Sequence, residues 1–102
     1  MKHLYVVLFF FISAVALGQN AKKSTDIDGF KLYPNPVTNG KVFIKTEKNA
    51  PKQILIFDVL GNKALETKIL GTELNVSDLD AGVYVIRVIE KDKVATRRLI
   101  IK

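Results

Sequence analysis

The sequence has no cysteine and no tryptophan, and its one histidine is His3. Without cysteine there is no disulfide framework, no thiolate nucleophile, no lipid-anchored cysteine and no Cys-based zinc site. With the single imidazole in a segment expected to be removed, most nucleophilic and metal-hydrolase chemistry is lost as well. Long hydrophobic runs are also scarce. The longest is Leu4 to Leu17, broken only by Ser13. It falls short of the roughly 20 apolar residues that a membrane-crossing helix needs, and fits the apolar stretch of a secretory leader. Lys2 and His3 make a short polar start, and Ala16-Leu17-Gly18 places small residues at the −3 and −1 positions. A helical signal peptide over residues 1–18, cleaved after Gly18, is therefore expected, and with it export.

Removing the first 18 of 102 residues leaves 84. That is close to the smallest size that folds alone without disulfides or metals. The charge is modestly basic, 16 Lys and Arg against 10 Asp and Glu. Gln19 to Gly29 is polar and aperiodic, as expected of a flexible linker. Within it, Asp26-Ile27-Asp28-Gly29 echoes the first half of a calcium loop. It lacks the third oxygen ligand and the distal bidentate Glu, so it reads as a solvated tether and turn.

From Phe30 onward, short apolar segments rich in β-branched and aromatic residues are separated by turn residues. Phe30 to Tyr33 alternates and is stopped by Pro34-Asn35-Pro36, whose two prolines lack donor N–H groups and belong at a corner. Asn39-Gly40 supplies a reversal. Lys41 to Thr46 puts Val42 and Ile44 on one face and Phe43 on the other. Gln53 to Val59 is apolar on both faces and is expected to be the most buried strand. Gly61-Asn62 reads as a two-residue hairpin signal leading into Lys63 to Leu70. Leu74 and Val76 form a brief strand, followed by Val83 to Ile89 and Val94 to Ile101. Seven strands with turns about every ten residues predict an all-β, immunoglobulin-like antiparallel two-sheet sandwich over residues 30–102.

Four segments carry a resemblance: LYPNP (Leu32 to Pro36), IFDVLGNK (Ile56 to Lys63), LNVSDLDAGVYVIRV (Leu74 to Val88) and KVATRRLIIK (Lys93 to Lys102). In that order and at that spacing they resemble the type A C-terminal sorting domain of the bacterial type IX secretion system. The resemblance implies a signal-peptide crossing of the inner membrane and recognition by the outer-membrane secretion translocon. It also implies action by a sortase-like peptidase that removes the domain and attaches cargo to surface lipopolysaccharide. Such a chain passes through the periplasm and ends secreted or at the cell surface. What the resemblance implies is an address label, not an enzyme.

The residues that stand out each have a structural and a recognition reading. Pro34, Asn35 and Pro36 are either a stiff corner or a preorganised loop that loses little entropy on binding. Gly82 and Tyr84 match the family's Gly-x-Tyr element. Structurally, Gly82 eases the start of a strand and Tyr84 shares a face with Ile86 and Val88, its hydroxyl at the rim. Asp58, ahead of Gly61, reads as a turn acceptor. Asn75-Val76-Ser77 matches a glycosylation sequon but reads as an incidental strand-to-turn segment. Arg97, Arg98 and Lys102 make the terminal strand basic. If that strand is an edge, its open backbone could be completed by a translocon strand, with the cations steering. Deleting the last residues, or placing Asp at Leu99 and Ile101, would then strand precursor in the periplasm. The same strand reads equally as a core element with lysines as aggregation gatekeepers. No catalytic, cofactor-binding or metal-ligating residue is assigned.

The principal alternative is a small secreted adhesin or a carbohydrate- or protein-binding sandwich, which an exposed Phe43 beside Tyr33 would favour. A nucleic-acid role is opposed by charges scattered over alternating faces and by the absence of an RNP-like aromatic cluster. Only eleven residues separate leader and domain. That spacing is compatible with a sorting-type domain working uncut, a remnant of a truncated gene or a small peptide precursor.

Overall fold

Runs of β-branched and aromatic residues punctuated by Gly, Pro, Asn and Asp favour a pleated, half-buried backbone. The chain takes that form in a computed structural model that describes residues 26–102. The expected leader, its cleavage after Gly18 and residues 19–25 of the linker lie outside the described residues. Seven strands follow in order: β1 (Lys31–Tyr33), β2 (Lys41–Lys45), β3 (Lys52–Asp58), β4 (Lys63–Ile69), β5 (Glu73–Asn75), β6 (Gly82–Glu90) and β7 (Lys93–Ile101). They form a three-stranded sheet, β1-β2-β5, and a four-stranded sheet, β4-β3-β6-β7. Every strand pairing is antiparallel. The expected all-β two-sheet sandwich is the fold.

Period-two alternation decides which side chains meet between the sheets. Val42, Ile44 and Leu74 from the small sheet face Ile54, Ile56, Tyr84, Ile86, Val88, Ala95, Leu99 and Ile101 from the large one, all buried. Register locks the central ladder. Ile54 lies opposite Val88, Ile56 opposite Ile86 and Asp58 opposite Tyr84. A one-residue slip would turn this buried set to solvent, which penalises any other pairing.

Three expectations are corrected. The linker does not run to Gly29. Ile27 is 5% exposed and belongs to the core, while the Glu47 N–H donates to the Asp28 carbonyl at 3.0 Å. An isolated apolar residue among charges carries no periodic signal, so Ile27 reads as tether until its pocket is seen. The β3–β4 connection is four residues, Val59 to Asn62, not two. The ladder closes at the Asp58 N–H to Asn62 carbonyl bond of 2.9 Å, leaving Val59 and Leu60 exposed at the tip. Strand β3 begins one residue early, at Lys52, which is completely buried.

Candidate recognition site

Strand β7 is an edge of the four-stranded sheet, but its terminal half is already engaged. The Pro34-Asn35-Pro36 corner, with cis peptide bonds before both prolines, folds against it. The Asn35 side-chain amide donates from Nδ2 to the Arg98 carbonyl at 2.7 Å and accepts at Oδ1 from the Ile100 N–H at 3.0 Å. Val37 continues the cover as a parallel bridge to Ile101. Its N–H donates to the Ile100 carbonyl at 2.7 Å, and its carbonyl accepts from the Lys102 N–H at 2.9 Å. The Val37 side chain is fully buried. The open-edge expectation for the chain end is therefore overturned. A carboxamide has one donor and one acceptor side, so Asn35 can mimic a strand residue where proline cannot.

The basic residues separate into different roles. Arg97 lies on the inward-facing phase of β7 at the sandwich margin and is half-buried. Its guanidinium pairs with Asp26 at 3.1 Å, donates to the Thr96 carbonyl at 2.9 Å and lies 4.8 Å from the Phe30 ring centroid. It ties the start of the folded unit to β7. Arg98 points the other way and is exposed, as is Lys102. Leu99 is fully buried and Ile101 nearly so. Asp at either position would unfold the sandwich before it tested any contact.

The remaining motif residues gather at the same end of the large sheet. Asp58 pairs with Tyr84, Gly82 with Ile101, and Val37 bridges Ile101. Asp58 is the expected turn acceptor: its Oδ1 takes the Leu60 and Asn62 N–H groups at 3.0 and 2.9 Å. Gly61 has φ +87°, which favours glycine. Tyr84 is 8% exposed, and its hydroxyl donates to the Asp80 carbonyl at 2.7 Å. The link pins the loop before β6 in the manner of a tyrosine corner. Gly82 lacks a positive φ, and a Cβ there would meet only the Tyr84 ring, at 3.8 Å. Strand geometry does not demand glycine at this position. In the sequon, Asn75 Oδ1 accepts from the Ser77 N–H and hydroxyl at 2.8 and 2.6 Å, a turn-forming role.

Two features escaped or only touched the sequence reading. The first is a buried polar cluster at the opposite end. Lys52 Nζ donates to the Ala50 carbonyl at 2.8 Å and lies 3.4 Å from Glu90 Oε2. That oxygen also accepts from the Thr46 hydroxyl at 2.6 Å and the Ala50 N–H at 3.0 Å. Burial pushes the Glu90 carboxyl upward, but the Thr46, Lys52 and Ala50 donors together outweigh it and hold the group below its ordinary value. On β4, the hydrogen bond and charge of Lys63 lower the exposed Glu66 carboxyl. The second feature is the Tyr33–Phe43 pair. The rings stack with centroids 5.7 Å apart, Lys45 lies 5.8 Å from the Tyr33 centroid, and Tyr33 is 39% exposed.

These parts define a small β-sandwich whose distinctive residues organise surfaces and strand ends. Among the described residues no cluster of His, Cys, Asp or Glu could hold a metal ion, and no helix is long and apolar enough to cross a membrane. Residues 31–102 match the family described as the secretion system C-terminal sorting domain, and the chain belongs to it. The match is to the sorting domain as a whole and does not distinguish the type A subdivision. The fold is similar to part of PorZ, an essential bacterial surface component of the type IX secretion system of Porphyromonas gingivalis. That likeness has a TM-score of 0.54 and 24% identity, and covers 72% of this chain and 11% of that one. No curated protein matches the chain. Family membership assigns a type IX sorting role, with export to the cell surface or beyond.

Proposed function

We propose that the domain is a non-catalytic address label, read in the periplasm by the outer-membrane secretion translocon and then acted on by a sortase-like peptidase. The observation that carries this reading is the convergence of Asn35, Asp58, Gly82, Tyr84 and the chain end at one end of the large sheet. A label read by a large machine needs a rigid surface, because each segment ordered beforehand spares entropy on binding. The Asn35 clamp supplies that rigidity for the last strand, and both motif prolines lie within it.

The test places a fluorescent cargo between the leader and Gln19, in hosts with and without a working type IX system. The reading expects surface or medium fluorescence only in the first host, with any cleavage upstream of the folded unit when products are mapped by mass spectrometry. Export that is equal in both hosts would overturn it. That result would favour a second reading, a small secreted binding module working through Tyr33, which is exposed and stacks on a half-buried Phe43.

A further inference from the structure

Strand β6 is apolar on its inner face and, over its first half, on its outer face as well. Tyr84, Ile86 and Val88 fill the core, yet of the outward residues Val83, Val85 and Arg87 only Arg87 is polar, and Val83 and Val85 are 46% and 41% exposed. Register extends this outward set sideways. Val85 lies between Phe57 of β3 and Arg98 of β7, and Val83 lies beside Ile100. In the next row Leu55 lies beside Arg87. An antiparallel sheet with one solvated face ordinarily alternates apolar-in and polar-out. A continuous apolar strip rimmed by polar groups instead marks an interaction surface.

The charge on this face is one-sided. Arg87 and Arg98 flank the strip and Lys68 lies at its β4 side, against a single acid, Glu66. That acid is already held by Lys63 and by Gln53. A second copy of the chain would bring Arg87 and Arg98 against the same cations, which opposes self-pairing through this face. An acidic rim around an apolar centre would complement both features. The surface is also continuous with the motif end, because the strand presenting Arg98 and Ile100 is the one Asn35 fastens.

We propose that the outer face of the β4-β3-β6-β7 sheet, centred on Val83, Val85 and Phe57 and flanked by Arg87 and Arg98, docks a protein partner whose contact patch is apolar and acid-rimmed. The proposal rests on the sorting reading and adds to it the face and the chemistry of its receptor. The experiment uses the full chain carrying its cargo, with a photo-crosslinking amino acid at Val85 or, as control, at Leu70, which is 77% exposed in the β4–β5 loop. A covalent adduct with a secretion-machinery protein is expected from position 85 and not from position 70. In parallel, Arg87→Glu with Arg98→Glu is expected to cut surface cargo by at least about tenfold, as loss of interface anchors does. The Lys replacements retain sorting, and all variants melt at the wild-type temperature. Wild-type sorting of the charge-reversed pair, or adducts only with lipid or a second copy, would overturn the docking face while leaving the sorting reading intact. Wild-type cargo that reaches the surface without a type IX system would overturn both.

Discussion

Tyr84 and Gly82 sit two residues apart in one motif, yet the structure gives them unequal physical reasons to be there. The Tyr84 ring is core and its hydroxyl is bonded to Asp80. Tyr84→Phe keeps the packing and removes one hydrogen bond, so urea denaturation is expected to show a loss of about 1 kcal/mol. Gly82 has ordinary strand geometry and room for a methyl group. Gly82→Ala is expected to change stability by less than about 0.5 kcal/mol. If cargo sorting falls while the melting curve does not, glycine is there to be approached from outside, a role that packing cannot supply. Tyr84 was legible from its alternation with Ile86 and Val88. Lys52 was equally legible in principle: it is in phase with Ile54 and Ile56, as Glu90 is with Val88. Charge masks such positions, because Lys and Glu are so seldom fully buried that alternation is read as ending at them.

At the scale of the element, β7 is held from both sides: by β6 through the main-chain ladder and by Asn35 and Val37 through the Pro-Asn-Pro corner. Asn35→Ala leaves the Arg98 carbonyl and the Ile100 N–H without their partner. A loss of about 1–2 kcal/mol is expected, with faster amide hydrogen exchange at Ile100 as the local readout. Exchange unchanged at Ile100 would show that the corner does not fasten the strand. The strands themselves were readable because alternation is local. The corner's attachment was not, since it joins residues 63 and 65 positions apart. No spacing rule links a lone Asn to a particular carbonyl. The four-residue β3–β4 loop was misjudged for a related reason: the Asp58 carboxylate organises the turn from outside the Gly61-Asn62 pair.

For the molecule as a whole, the buried Glu90 carboxylate, paired with Lys52 within the large sheet, also couples the two sheets, because it ends β6 and accepts from Thr46, which follows β2. Lys52→Met leaves a buried carboxylate without its cation and is expected to cost about 3–5 kcal/mol, whereas Lys52→Met with Glu90→Gln recovers most of that loss. The pair also fixes the sign of the acid response. Glu90 is held below its ordinary value in the folded state, so at acid pH the unfolded chain binds protons first. Its contribution is complete above about pH 4.3, the ordinary carboxyl value, and fades as pH falls below that toward the folded-state value. Denaturation curves between pH 3 and 6 are expected to lose stability less steeply in Glu90→Gln than in wild type. An equally steep loss in the variant would assign the acid response to other carboxylates.

The docking of Ile27 moves the root of whatever is joined upstream. With Asp26 tied to Arg97, that root lies beside the middle of β7 and not at Phe30. Four residues are thereby withdrawn from the leash, shortening its greatest span by about 13 Å at roughly 3.3 Å per extended residue. A peptidase that grips its substrate as an extended chain meets Asp26 paired and Ile27 buried, so it must sever the polypeptide before Asp26 or first prise Ile27 from its pocket.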